Sequence, residues 1–365
     1  SVRSFFRKSK TTQGASTLLL RVTEKEGFPL GFSLGIDNRG AETTGPLELD
    51  GSVTASNLSG FYDRTRLRVV NSLELEELTF ASISHSQLLT SEGTRLTFDG
   101  TYSTSEPGGQ LLRLIEQESE SFSGKLTLTH PIIRSRSRNL TVRAAIGARD
   151  TESKQLGSVA TRDRLRTVEL GFDYDFGDEF GGLNQFNFTA TKGFDAFGAT
   201  SNDNPRASRF DGKTDFLTFE GSLSRRQQLP HGFGLNLSAQ AQYATVPLLS
   251  SAECGLGGEA FGRAFDSSEL TGDHCLMGSA ELTYLVPQNL EFLRYAQLYA
   301  FFDGGMVWNR GPTRDASLAS TGGGLRIGLG AYFTGSVEVA KPLTRDVSAE
   351  NNREPRFFFR LTGSF

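Results

Sequence analysis

The chain has little of what a soluble enzyme core or a helical membrane protein is built from. Among 365 residues there are one Trp, two Met and two Cys, and hydrophobic residues make up only 37%. The longest apolar candidates, Leu18-Leu19-Leu20 and Phe357-Phe358-Phe359, fall far short of the roughly 20 residues a membrane-spanning helix needs. That excludes a helical membrane protein. A membrane β-barrel stays open, because alternating lipid-facing and lumen-facing residues hold the mean hydropathy low, here −0.31. There is no basic excess either: a net charge of −4 leaves no electrostatic footprint for nucleic acid. Two cysteines without a CxxC cannot build a zinc site. The histidines His85, His130, His231 and His274 lie in separate segments, and HExxH, GxSxG and phosphate-binding glycine loops are missing. Asp173 and Asp175 share a strand face, which reads as pore lining rather than as an acid–base pair. No catalytic set, metal or cofactor is expected.

What is abundant is Phe (29), Gly (41) and alternation of period two. Phe28, Leu30, Phe32, Leu34 and Ile36 alternate with Pro29, Gly31, Ser33, Gly35 and Asp37. Leu235, Leu237, Ala239 and Ala241 occupy one face, with Asn236, Ser238, Gln240 and Gln242 on the other. Extended to their polar ends, such segments run about nine to twelve residues, longer than soluble strands and matched to a bilayer crossing. About sixteen of them are counted from Phe28, an even number as bacterial barrels favour. Short links are expected at residues 57–63, 91–93, 177–182, 226–232 and 334–335. Long loops are expected at 103–120, 149–164, 194–212, 245–274, 306–322 and 343–355. A soluble sandwich would share the alternation but has no reason to sort its connections by side. The predicted fold is therefore all-β, a transmembrane antiparallel barrel over 28–365. Residues 1–27, with basic Arg3, Arg7, Lys8 and Lys10 and a strand-like stretch over 16–26, read as the end of a preceding periplasmic domain. No leader opens the sequence, which suggests a mature or trimmed chain.

The final strand places Phe357, Phe359, Leu361, Gly363 and Phe365 on one face. A terminal alternating strand ending in Phe resembles the signal by which outer-membrane proteins are recognised for insertion. Its other face turns Arg356, Arg360 and Thr362 toward a hydrated lumen. Cys254 and Cys275 lie close enough in sequence to staple one long loop in an oxidising compartment; two unpaired thiols are the alternative.

One region carries more specific information. Gly257-Gly258 is followed by Gly262-Arg263-Ala264-Phe265, then Gly272-Asp273, a strand bearing Glu281, and farther on Phe301-Phe302-Asp303-Gly304-Gly305. This resembles the two-partner secretion transporters, in the barrel superfamily that also contains the outer-membrane assembly factors. That family carries Gly-Gly and Val-Arg-Gly-Phe/Tyr in its sixth long loop, then Gly-Asp and a strand with Glu, and a Phe/Asp-x-Gly motif in the barrel wall. Here Gly262 and Ala264 stand where Val and Gly are usual, and Cys275 where Gly is common. Ala264 is at odds with a backbone that needs positive φ. Asp37-Asn38-Arg39-Gly40 resembles the family's Asp-Asn-x-Gly, and Thr129-His130-Pro131 with Arg134 resembles a family turn.

Residue parity points the same way. Tyr295, Gln297, Tyr299, Phe301 and Asp303 share one strand face, opposite the apolar Leu298 and Phe302, and so face the lumen. A confined carboxylate wants a partner. Arg263 folding inward would form a bidentate pair with Asp303, with Phe265 packed on Tyr299 or Phe301. The alternative is two solvated groups that never meet. A Cys254–Cys275 cross-link would tie the base of this loop.

The resemblance implies a pore that secretes a specific unfolded exoprotein (an adhesin, haemagglutinin or cytolysin) across the bacterial outer membrane, with the sixth loop as a latch. It implies outer-membrane lipid and lipopolysaccharide as surroundings, recognition by the barrel assembly machinery through the strand ending at Phe365, and a monomer. An assembly factor of the same superfamily, a passive porin and the membrane anchor of a self-exported passenger remain the alternatives.

Overall fold

The computed structural model describes residues 2–22, 30–311 and 315–365, in two units, Ser1–Leu30 and Gly31–Phe365. The first unit is an antiparallel hairpin of β1 (Val2–Lys8) and β2 (Ser16–Val22), with Phe5 opposite Leu19. The basic opening is thus itself a strand. The strand expected over 16–26 is seen as Ser16–Val22; its remainder, and Phe28 at the expected start of the barrel, lie outside the described residues.

The second unit closes sixteen antiparallel strands into a barrel. In chain order the first eight are β3 (Leu30–Asp37), β4 (Glu48–Ser56), β5 (Arg64–Ser72), β6 (Thr79–Leu88), β7 (Arg95–Ser105), β8 (Glu118–Arg134), β9 (Arg138–Gln155) and β10 (Ser158–Gly177). A short helix, α1 (Gln110–Leu114), sits between β7 and β8. Next come β11 (Gly182–Gly193), β12 (Leu217–Gln228) and β13 (Phe233–Ala244). The small β14 (Cys254–Leu256) and β15 (Leu270–Gly272) pair with each other inside the following loop and are not part of the wall. The wall resumes with β16 (His274–Leu285), β17 (Leu293–Trp308), β18 (Ala316–Leu329), β19 (Phe333–Pro342) and β20 (Arg356–Ser364). Closure is by β20 on β3, with Leu361 opposite Ile36. Closing the sheet pairs every wall strand on both sides, which hydrocarbon requires.

The connections sort by side, with corrections to three expected links; the short one expected at 334–335 falls inside β19, and the chain turns at 330–332. The segment 149–164, expected as a long loop, is strand: β9 and β10 run 18 and 20 residues and meet at Leu156-Gly157, whose φ values of 49° and 70° make a tight hairpin turn. Both strands outrun the bilayer, and beyond it neither face needs to be apolar, so the alternation that marks a strand in lipid fades. The link expected at 306–322 shrinks to 309–315, because β17 and β18 extend into it. Thr129-His130-Pro131 and Arg134, read as a turn, lie within β8, where Pro131 sits at a register shift; the turn follows at 135–137. A missing N–H makes proline tolerable at such an irregularity.

Phe32, Leu67, Phe98, Leu170, Leu223, Leu282, Phe302, Val337 and Phe357 are exposed on the outer surface, a band too large for water and suited to lipid. The buried apolar residues collect instead inside the barrel, around the loop between β13 and β16.

Candidate functional site

The loop over 245–273 folds into the lumen and seats its tip against β16–β20. Phe261, Ala264 and Phe265 join Tyr299, Phe301, Leu318 and Phe358 in one buried cluster, with Phe265 only 2% exposed. Burying a Phe contributes about 2–3 kcal/mol, so these side chains alone favour the seated loop. The tip turns at Gly262, where φ is +86° and an added Cβ would come 2.6 Å from the Leu318 side chain. The positive φ thus falls at Gly262, before the arginine. Ala264, expected to conflict with such a backbone, has no positive φ and is fully buried.

Arg263 enters the wall between three carboxylates. Its Nη1 donates to Glu281 Oε2 at 2.7 Å, and its Nη2 lies 3.4 Å from Ser279 Oγ. Asp303 takes the Arg263 backbone N–H at 3.3 Å, and its Oδ2 lies 3.2 Å from Nε. That Nε–Oδ2 approach is an ion contact without hydrogen-bond geometry. The expected bidentate Arg263–Asp303 pair is therefore corrected: the guanidinium hydrogen-bonds to Glu281. Asp303 shares the lumen face with Glu281 but lies one residue pair along it, opposite Ser279; it takes the backbone of the tip, and its own side chain is held by Ser320 Oγ. Glu338 stands 3.7 Å from Nη1.

Three residues that sequence reasoning did not single out as site residues complete the network. Arg326 grips Glu281 with Nη1 and Nη2, both at 2.8 Å. Glu338 accepts from Tyr299 Oη at 2.7 Å and from Arg39 Nη2 at 2.5 Å. Arg39 also donates to the Arg263 carbonyl at 3.1 Å. Each arginine lies over a ring as well: Arg263 over Phe301 at 4.2 Å, Arg326 over Tyr299 at 3.7 Å, Arg39 over Phe358 at 3.8 Å. Planar guanidinium suits this double duty, stacking on one axis and hydrogen-bonding in its plane. Three cations meet three carboxylates, so the network is balanced in formal charge. Parity could have found Arg326 and Glu338, since Leu325, Ile327, Val337 and Val339 occupy the opposite face of their strands.

Room for these side chains comes from glycine. Tyr299 pairs with Gly324 and Phe301 with Gly322 across β17 and β18, and a Cβ at either glycine would stand within 2.8 Å of the facing ring. Tyr295 lies likewise over Gly328, while Gln297 faces Arg326 at 3.4 Å. Gly305 is paired with Met277 and Leu318. Below the tip a cavity of about 470 Å³ opens between Arg263, Glu281 and the wall of β9–β13.

The limbs of the loop are anchored separately. Cys254 and Cys275 are disulfide-bonded, with Cα atoms 6.4 Å apart. Asp273, fully buried, accepts from Leu248 N at 2.7 Å, Arg209 Nη1 at 2.8 Å and Arg310 N at 2.8 Å. Gly257 and Gly258, both at positive φ, mark the passage from this fixed base to the tip.

Comparison with known proteins agrees with this architecture. The haem/hemopexin transporter protein HuxB of Haemophilus influenzae is 23% identical over 359 residues, covering 96% of this chain and 62% of that protein. The outer membrane transporter CdiB of Dickeya dadantii is 24% identical over 330 residues, covering 84% of this chain and 55% of that protein. The chain thus spans about three-fifths of the curated relatives it matches. Among solved structures, CdiB from Escherichia coli superposes with a TM-score of 0.86 at 18% identity, covering 100% of this chain and 67% of that one. Residues 14–327 match the model of the haemolysin secretion/activation proteins ShlB/FhaC/HecB. The chain belongs to that family, the outer-membrane transporters of two-partner secretion.

Proposed function

We propose that this barrel is the pore through which a specific unfolded exoprotein (an adhesin, haemagglutinin or cytolysin) passes to the cell surface, with the tip of 245–273 as its latch. The observation that carries this reading is Arg263, held inside the lumen by Glu281 and Asp303 on a loop whose base is fixed independently. A seated tip narrows the passage, and a tip released at Gly257-Gly258 clears it. Because the tip is held by side-chain hydrogen bonds, ion pairs and a few rings rather than by ladder pairing with a wall strand, it can leave without opening the barrel, and has two discrete arrangements to choose between. Folding of the cargo outside supplies the drive.

In the same reading the β1–β2 hairpin is the last part of a periplasmic cargo-receiving domain. The strand ending at Phe365, which exchanges backbone hydrogen bonds with Phe32 at 2.8 and 3.0 Å, is the segment presented to the barrel assembly machinery. The protein works as a monomer. The test is secretion by Arg263→Ala and Asp303→Ala variants whose barrels insert normally, judged by heat-dependent gel mobility. Both lose export; wild-type export in both refutes the latch.

A further inference from the structure

The outer wall of β9–β11 carries a feature that transport does not use. On β10 the lipid-facing residues Phe176, Tyr174, Phe172, Leu170 and Val168 span about the nine residues a tilted strand needs to cross hydrocarbon. With no break in parity, the next three side chains on that face are Arg166, Arg164 and Arg162. On β9 the band Leu140 to Ala148 ends at the same height, Ala148 opposite Arg166. On β11, Lys192 stands opposite Val168. These cations therefore lie just past the apolar band, at the end of the barrel that bears the long loops.

Two carboxylates share the face: Asp150 lies 2.6 Å from Arg166 and 3.8 Å from Arg164, and Glu152 pairs with Arg162. Four cations against two carboxylates leave the β10–β11 side positive. Glu118 and Glu120 continue the face on β8, where Lys154 answers Glu118 at 3.8 Å. Arg164 and Arg162 keep 44% and 39% of their side chains exposed. Beside them is an unusually bare aromatic: Phe197, 84% exposed, takes Arg166 Nε on its carbonyl at 3.3 Å. Lys192 Nζ lies 6.0 Å over the Phe194 ring.

We infer that this face docks the phosphorylated glucosamine headgroup of lipopolysaccharide. Guanidinium matches phosphate in plane and charge, and the column is placed where the outer leaflet of the outer membrane holds its anionic sugars. Phe197 and the top of the apolar band receive the first acyl carbons. A soluble polyanion would not need a site continuous with the lipid surface, and an inner-leaflet phospholipid would meet the opposite end of the barrel. The inference rests on the membrane location and stands whether or not the latch reading holds.

The test is binding of diphosphoryl lipid A to the purified chain in detergent, by native mass spectrometry, with monophosphoryl lipid A and phosphatidylglycerol as competitors. Diphosphoryl lipid A binds best, and Arg164→Gln/Arg166→Gln weakens it about tenfold, as expected for losing a charge-assisted hydrogen bond. Lys192→Gln, which breaks no ion pair within the face, weakens it several-fold and keeps the result readable if the double variant folds poorly. Unchanged affinity in the Lys192→Gln protein and in a folded double variant overturns the site. Equal competition by phosphatidylglycerol overturns the choice of ligand.

Discussion

Arg263 and Glu281 meet at 2.7 Å inside the barrel, one on a loop and the other on the wall, and Glu281 is gripped from its other side by Arg326. One carboxylate thus serves a cation on the loop and a cation on the wall. The fixed pair orients Glu281 from the wall side, so the wall offers Arg263 a held carboxylate, a receptor for the tip.

Removing the receptor is therefore worse than removing the ligand. Glu281→Ala leaves Arg326 without its ion-pair partner and Arg263 with Asp303 and Glu338 but no hydrogen-bonded carboxylate on its guanidinium, a cost of about 3–5 kcal/mol where the charges are buried. Arg263→Ala leaves the Glu281–Arg326 pair intact and destabilises less. The temperature at which the detergent-purified barrel loses its compact gel mobility falls further for Glu281→Ala. An equal or smaller fall than for Arg263→Ala removes the ranking.

Charge alone does not hold the tip. Arg263→Lys keeps the cation but cannot stack over Phe301 and reach Glu281 and Asp303 from one planar group. The lysine variant behaves like the alanine variant, with more frequent and longer openings in planar bilayers than the parent. Parent-like gating by the lysine protein means that charge suffices and that the ring contact is incidental.

How far these features were legible in the sequence differs by element. The sixteen wall strands were legible because lipid on one side and water on the other force a period of two onto each crossing. The β9–β10 hairpin was not, since above the membrane its side chains alternate between polar and polar, as at Asp150, Thr151, Glu152 and Ser153. Arg263 and Asp303 were found through a family pattern and parity. Their partner Glu281 was placed on the right strand, but its role depends on Arg326, two strands away around the wall and distant in sequence. Parity tells which side chains enter a lumen; it does not tell which of them meet across it.

The backbone of the tip depends on glycine where the family pattern has valine. Gly262→Val puts a β-branched residue at φ +86° against Leu318 and costs about 1–3 kcal/mol of tip seating. Ala264→Gly, at a position without positive φ, costs about 1 kcal/mol or less. Trypsin cleavage after Arg263 in the folded barrel measures both: the valine variant is cut faster than the parent, and the glycine variant is cut at nearly the parental rate. Protection of the valine variant shows that valine is accommodated in this chain too.

The disulfide belongs to the base of the loop, not to its tip. Cys254 and Cys275 close a loop of 21 residues' separation, which in the chain-entropy picture restrains the freed segment by about 3 kcal/mol. Asp273, beside Cys275, independently ties the same base to Arg209, Leu248 and Arg310. Reduction therefore changes mobility on a denaturing gel, where the cross-link is the remaining constraint, but leaves the tip seated in the folded barrel. Under reducing conditions the Cys254→Ser/Cys275→Ser protein and the parent show the same slow tryptic cleavage after Arg263. Combining the serine pair with Asp273→Ala removes both anchors, and only then does cleavage accelerate. Acceleration in the serine pair alone makes the disulfide itself the keeper of the tip and reduces Asp273 to a bystander.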